Sequence, residues 1–552
     1  MTNSSTYIPY SKTGYFSHLV TSYIDGHPQL LPFFKYAPSV EGITAAIEER
    51  KQFPVNREAL VNVLVKQYEH LPKHDEVEKN IELLKDENTF TVCTAHQPNL
   101  LTGYLYFVYK IIHAIKLAEQ LNGLHKDKRF VPIYYMGSED NDIEELGTFL
   151  YNGNKYVWDG DGQGGAVGRM KTDGLVSLLH EFFKFLGPPG EICDTLRELF
   201  VAAYLQHNTI AEATHFLVNE LFGKYGLVVI NPDEASLKES FIPVMKDDLL
   251  QQIAYSIIAE QIEKLGAHYK IQAHPRPINL FYLKDHLRER IEKRGAVWSV
   301  VNTDIKWNQK ELLHELKQHP EYFSPNVMLR GMYQETILPN VAFIGGGAEV
   351  AYWLQLKTVF EHYKVFYPSI FLRQSVMWVK PSQAKLREQL QLTIPDIFKP
   401  EVELVREYVK KHSTSDWHVE EETAAIEKIL HQLKQKATAI ETTLRSSAEA
   451  SLTKMKYQLQ ILEKKMLRAE KKKMQIQLAK ITRLKSALFP NNSLQERVEN
   501  FTEYYLQYGN GFFNELKNSM HPLKNEFLII EDADSANEIH FQKNSETKEN
   551  QV

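Results

Sequence analysis

The chain has 552 residues, 43% of them hydrophobic and 24% charged, which is enough for several domains with a large core. Its net charge of −6 gives no global attraction to nucleic acid or to an anionic membrane surface, and no apolar run reaches the ~20 residues that span a bilayer. Cys93 and Cys193 stand alone, without metal spacing, and the first 25 residues lack a basic start and apolar core. A cytoplasmic protein with no nucleic-acid or membrane partner is therefore expected.

Apolar spacing at Leu60, Val63, Leu64 and Tyr68 predicts helices from about 40 to 85. The β-branched and aromatic run Thr89–Cys93 then predicts a strand. A polar loop from Thr94 to Gly103, a long helix and a second apolar run, Phe130–Met136, follow. Two strands joined through a helix must lie parallel with a right-handed crossover. The loop with His96, Gln97, Asn99, Thr102 and Gly103 then opens at the same carboxyl edge as the acidic turn Ser138-Glu139-Asp140-Asn141-Asp142. That edge is where open α/β sheets bind ligands.

The glycines between 147 and 173 predict a loop or hairpin insertion, and helical patterns resume from Leu175 to Phe222. Gly226–Asp233 reads as a buried strand ending in a polar turn, followed by a helix from Ser236 to Leu265. Short strands are expected near Leu280–Leu283 and Val297–Val301. A further βαβ unit runs through Asn340–Ile344, the turn Gly345-Gly346-Gly347, a helix from Ala348 to Tyr363 and a strand from Val365 to Leu372. The fold class is α/β: a Rossmann-like, doubly wound parallel sheet to about residue 400, with insertions near 147–225 and 266–325.

From Glu401 to Phe489 there is neither Gly nor Pro. Apolar residues at Ile426, Leu430, Leu433, Ala437, Ile440 and Leu444 form a heptad seam, resumed at Met455, Leu459, Leu462, Met466 and Ala469. As one straight helix, 421–488 would extend roughly 100 Å. The seam weakens at Ser446-Ser447-Ala448, which permits an antiparallel hairpin. Such a stripe needs a partner, either a second chain or its own other half. Residues 401–490 are thus helical coiled coil, 491–531 return to the core, and 532–552 are a polar tail.

Each chemical signal has a plainer counterpart. The glycine turn at Gly345 to Gly347 can offer backbone N–H groups to an anion, or can be a tight turn and nothing more. Val350 stands where the dinucleotide fingerprint requires its last glycine. Glu349 points toward the same cleft or serves the helix dipole. Glu139, Asp140 and Asp142 can bind Mg²⁺ or an ammonium group, whereas Asp142 with Glu145 can equally cap a helix. The histidines of His314–His319 are five apart, which excludes a zinc-protease helix, and there is no Walker A loop or G-x-S-x-G elbow. The nine basic residues between Lys464 and Lys485 read as the outer face of the coil.

These motifs resemble the BshC family, the ligases assigned to the cysteine-adding step of bacillithiol biosynthesis. The resemblance is carried by Thr94–Gly103 with Tyr106 and Lys110, by Gly137–Asp142, by Phe323–Arg330 with Gln334 and Glu335, by Ile344–Trp353, and by Leu488–Pro490, Leu494–Arg497 and Tyr508-Gly509. It implies a Rossmann-like core, a coiled coil that makes homodimers, and amide formation between cysteine and glucosaminyl malate driven by ATP, with Mg²⁺ as a candidate companion. On that reading His96, Gln97, Asn99, Glu139, Asp140 and Asp142 are catalytic. Thr102, Gly103, Tyr106, Asn141, Asn326, Arg330, Gln334, Glu349, Tyr352 and Trp353 bind substrate, Arg330 and its neighbours taking an anionic group. Gly345, Gly346 and Gly347 hold the cofactor. Family members usually carry Gly-Gln-Gln at Ala95-His96-Gln97, His at Asn141 and Pro-Gly at Gly347-Ala348. The competing readings are a nucleotide-dependent transferase or oxidoreductase, and a non-catalytic coiled-coil scaffold.

Overall fold

Five parallel strands form the centre of the computed structural model, which describes residues 3–415 and 419–532. We number them β1 (Thr89–His96), β2 (Arg129–Met136), β3 (Val228–Ile230), β4 (Asn340–Gly345) and β5 (Ser369–Leu372). Their order is β5-β4-β1-β2-β3. The chain steps outward from β1 to β3 and then returns to the other side of β1, so the winding reverses between β1 and β4. Such a reversal opens a crevice at the carboxyl ends of the strands. Register runs from Thr89 opposite Arg129 to His96 opposite Met136, which brings the ends of β1 and β2 level. Seven of the eight β1 residues are buried, as expected for a sheet covered on both faces.

The crossover helix α1 (Leu105–Leu124) is buried nearly all round. Ala114, Leu117, Ala118 and Leu121 pack on Phe90, Val92 and Phe130 of the sheet. Tyr109 and Ile112 share a second core with Phe513 and Met520 of the C-terminal segment. The polar members of this helix are therefore exceptions with reasons. His113 Nδ1 accepts the Gln374 amide at 2.9 Å, and burial, reinforced by Arg373, pushes its pKa down to about 3. The fold refuses a proton that the unfolded chain accepts below its ordinary 6.5, so this contribution lowers stability as pH falls from 6.5 toward 3 and is silent above 6.5. His113→Asn keeps an acceptor without the titration. Relative to wild type, its unfolding free energy should improve by about 2 kcal/mol between about pH 7.5 and about pH 5. A difference that does not vary with pH would show that His113 carries no such penalty.

Ser4–Pro9 pairs antiparallel with Glu526–Glu531, so the returning C-terminal segment is stitched to the start of the chain. The glycine-rich insertion holds a hairpin, Thr148–Tyr151 with Asn154–Val157. A five-stranded antiparallel meander occupies the later insertion, its strands ordered Lys306–Trp307, Val297–Val300, Leu287–Arg294, Leu280–Lys284 and Phe323–Pro325. Leu287–Arg294 is absent from the sequence expectation because six of its eight residues are charged, which leaves no apolar alternation to read. Two helices expected to be continuous are broken. The stretch Ser236–Leu265 divides into Ala235–Lys238, Ile242–Leu250 and Ile253–Gly266, and Ala348–Tyr363 into Gly347–Trp353 and Lys357–Tyr363.

The described residues divide into two compact units, one of residues 3–11, 15–378 and 493–532, the other of 12–14, 379–415 and 419–492. The division after Trp378 precedes the residue 400 expected from sequence, because the helices Pro381–Gln389 and Ile394–Phe398 cluster with the coil rather than the sheet. Within the second unit Glu420–Ile440 and Leu444–Lys473 form an antiparallel hairpin, linked by Lys434 to Glu449 and by Lys456 to Glu427. Its turn lies at 441–443, just ahead of the Ser446–Ala448 weakness. No residue of Glu420–Ile440 is buried, and Leu433 and Leu462 are 51% and 48% exposed. Among the described residues no helix is long and apolar enough to cross a membrane. Thr2 and the polar tail from 533 lie outside the described residues.

Candidate active site

The crevice at the strand reversal is a real cavity of about 380 Å³. The loop after β1 contributes His96 and Gln97, and the turn after β2 contributes Glu139 and Asp140. Backbone and side chain hold these two segments together. Gly137 N donates to His96 O at 2.7 Å, and Gln97 Nε2 donates to Asp140 Oδ2 at 3.1 Å. Tyr106 enters from the start of α1, while Gly346, Gly347, Glu349 and Tyr352 come from the turn and helix after β4. Helix α2 (Val327–Ile337) brings Arg330, and Asn326 caps it. The three separate polar turns therefore share one cavity.

The remaining candidates lie off the cavity wall, and their contacts say why. Asn99 is buried against Gly103, where an added Cβ would meet its side chain at 2.9 Å. Thr102 and Gly103 have φ of 65° and 65°, and the Gly103 carbonyl accepts from Asn500 of the C-terminal segment at 2.5 Å. This loop is thus a buried turn anchoring two parts of the chain. Asp142 is exposed and caps a short helix by accepting Glu145 N at 3.1 Å, the plainer of its two readings. Asn141 accepts from Arg288 at 3.0 Å. Gln334 is buried, donating to Glu335 and accepting from Arg330. Trp353 is core, tilted against Phe343 and pressed on Gly331. Gly345 lies under the turn and accepts Arg373 N at 2.7 Å. Asn326 does line the cavity, but its side chain is committed. Oδ1 accepts Met328 N and Nδ2 donates to Asn279.

Charge in the cavity is organised as buried pairs. Lys110 Nζ contacts Glu349 and donates to Ala95 O at 2.9 Å, while Glu349 Oε2 also accepts Gly346 N at 2.8 Å. The helix-start amide of the glycine turn is thus satisfied from within. Burial lowers the Lys110 pKa despite Glu349 beside it. Across the cavity, Glu139 contacts Lys238, whose side chain is 1% exposed. Lys238 also lies 3.7 Å from Asp233, which accepts two 2.7 Å bonds from Arg169. Burial raises the Glu139 pKa, and Lys238 only partly offsets it. Burial opposes the Asp233 charge, but the Arg169 and Lys238 contacts hold its carboxyl below its usual range. His96 Nε2 is shielded and without a partner. Burial first, then Lys110, Arg373 and Arg330, lower its pKa well below 6.5, so the ring is neutral near pH 7. Among the described residues no group of three or more His, Cys, Asp or Glu could hold a metal.

The sequence reading gave no site role to several cavity residues, although Lys110 and Arg497 lie in motifs that carry the resemblance. Lys110 was legible as a lone cation in the apolar run Leu105–Ile112, and Arg373 as a charge directly after a strand at the carboxyl edge. Arg288 on the meander and Lys238 behind Glu139 had no local signal.

Residues 4–374 match the family description "Bacillithiol biosynthesis BshC, N-terminal Rossmann-like domain", and residues 376–531 match "Bacillithiol biosynthesis BshC, C-terminal coiled-coil domain". The chain belongs to the BshC family. A protein of Flavobacterium psychrophilum named "Putative cysteine ligase BshC" is 42% identical over 529 residues, covering 95% of this chain and 99% of that one. Relatives of the same name from Cytophaga hutchinsonii and Bacillus cereus are 38% and 27% identical, covering 88% and 90% of this chain and 91% and 94% of theirs. Of the three places where the sequence reads as departing from the pattern that the resemblance implies, two fall on the cavity wall, at His96 and at Gly347-Ala348. The third, Asn141, is off the wall but reaches it through Arg288.

Proposed function

We propose that this cavity condenses cysteine with an amino-sugar conjugate, glucosaminyl malate, in bacillithiol biosynthesis. The observation that carries the reading is the convergence of the β1, β2 and β4 turns on one cavity at the strand reversal. Forming an amide from a carboxylate in water is uphill, and ATP supplies that free energy by activating the cysteine carboxyl group. The chain's own residues bind and orient. The acidic edge of Glu139 and Asp140 receives the amine as an ammonium group. Glu139, with its carboxyl raised by burial, first takes the proton that frees the nitrogen lone pair. That nitrogen attacks the activated carbonyl, the phosphate-bearing activating group leaves as the C–N bond forms, and the second proton of the nitrogen passes to solvent. His96 presents a neutral hydrogen-bonding edge, and the arginines of the opposite wall face the malate carboxylates. Incubation with ATP, cysteine and glucosaminyl malate should yield the cysteinyl product by mass spectrometry. A folded protein that makes none removes the ligase reading.

The half-exposed apolar residues of the coil support a homodimer through the hairpin. Light scattering should give the mass of two chains for the wild type and of one for a variant joining Leu433→Glu to Leu462→Glu. A monomeric wild type removes the dimer. Cytoplasmic residence belongs to the same proposal and is supported by two free, buried cysteines.

A further inference from the structure

We infer that Arg373 binds an oxyanion, a carboxylate or phosphate group, in this cavity, and that Glu496 is the residue that positions it. Neither the motifs nor the resemblance singled out Arg373. It follows β5 directly, and its backbone N–H donates to Gly345 O at 2.7 Å, which fixes it at the strand reversal beside the end of β4. The side chain is 3% exposed and lines the cavity. Nη2 donates to Glu496 Oε1 at 2.8 Å. Nε and Nη1 are shielded from solvent and have no partner. A buried guanidinium with most of its N–H groups unmatched is costly, and an oxyanion is the group whose lone pairs fit that fork.

The other arginines of the site show the contrast. Arg169 spends Nε and Nη2 on the Asp233 carboxylate. Arg330, the arginine expected from sequence to anchor an anion, gives Nη2 to Tyr352 at 2.7 Å and Nη1 to Gln334 at 3.3 Å. Arg288 has an orphaned Nε but gives Nη1 to Asn141 and lies against the Phe281 ring at 4.0 Å. Arg373 is the more deeply buried of the arginines with unmatched donors on the cavity wall.

Its orientation is set from two sides. The Tyr106 ring centroid lies 5.7 Å from the guanidinium carbon. Glu496 is fully buried, and its Oε1 also accepts Ser375 Oγ at 3.1 Å. The neighbouring Gln495 accepts Trp378 N at 2.9 Å and donates to Trp378 O at 3.0 Å, so the segment carrying Glu496 is laced to the chain just beyond Arg373. The C-terminal return thereby reaches Arg373 through the Glu496 carboxylate, beside the Arg497 that it places on the cavity wall.

Only the identity of the anion rests on the ligase reading: the carboxylate of an acidic co-substrate or the phosphate of a nucleotide. Calorimetric titration of the full chain with L-malate and, separately, with inorganic pyrophosphate tests both. The wild type should bind at least one probe, and the one bound identifies the source. Arg373→Gln and Arg373→Lys should each weaken that binding by about tenfold or more, since lysine keeps the charge but loses the fork. Glu496→Gln keeps an acceptor for Nη2 and should bind within about threefold of wild type, whereas Glu496→Leu should lose about tenfold. Melting curves confirm that each variant is folded. A wild type that binds neither probe, or folded Arg373 variants that bind as tightly as wild type, overturns the inference. Arg373-dependent binding without ligase product would keep the subsite and remove the ligase reading; product with Arg373-independent binding would do the reverse.

Discussion

Lys238→Met should destabilise the protein by about 3–5 kcal/mol and should do so chiefly through Glu139. The lysine side chain is 1% exposed and touches Glu139, which is itself 10% exposed. Removing the ammonium group strands that carboxylate in a medium that already disfavours its charge. Asp233 suffers less, because Arg169 still holds both of its oxygens. The direction with pH follows. Without Lys238 the folded carboxyl pKa rises further above the ordinary 4.5, and a raised carboxyl contributes stability that is present below its unfolded value and lost as pH climbs through the folded one. The deficit of Lys238→Met, read by urea unfolding, should therefore shrink on acidification. Adding Glu139→Gln should recover part of it, since no buried charge is then left alone. A loss below about 1 kcal/mol, or one that does not depend on pH, would mean that water reaches Glu139 freely.

The pair behind this prediction marks the limit of what can be read from the sequence. Glu139 was legible because it stands in an acidic turn at the end of an apolar strand, and parallel pairing places that end beside His96. Lys238 was not, because a lysine in Ala-Ser-Leu-Lys looks like any solvated helix residue until the short helix Ala235–Lys238 turns it behind the β2 turn. The same division runs through the whole site. Elements with strong local chemistry, such as the β-branched run at Thr89–Cys93 or the glycine turn after Ile344, could be ordered from sequence alone. Arg288 sits on a strand whose charges hide it, and Arg497 arrives from a segment more than a hundred residues beyond the sheet. Long-range placement of this kind leaves no periodic trace. The loop residues Asn99, Thr102 and Gly103 are the converse case, legible in the sequence yet off the cavity wall. Polar residues at a carboxyl edge looked like a site, but burial of Asn99 and Thr102 and positive φ at Thr102 and Gly103 place them in the turn that follows His96, with Asn500 as its anchor.

His96 itself should tolerate glutamine and reject phenylalanine. Its Nε2 is buried without a protein partner, and burial first, then the surrounding cations, keep the ring neutral. A neutral imidazole and an amide both offer a donor and an acceptor without charge. His96→Gln should therefore keep kcat/KM for the ligation within about fivefold. His96→Phe preserves the ring packing against Tyr106 and Phe107, at 5.2 and 5.5 Å, but removes the polar edge. It should cost roughly 1–3 kcal/mol of transition-state binding, about ten- to a hundredfold in kcat/KM, because a buried polar group of the substrate then goes unmatched. The pH–rate profile separates this role from proton transfer. A hydrogen-bonding His96 that stays neutral gives the same profile in wild type and His96→Gln through the range near its ordinary 6.5. A general base would instead lose about 10²–10⁴-fold on conversion to glutamine and take an ionisation out of the acid limb. That outcome would move the proton-accepting role from Glu139 to His96.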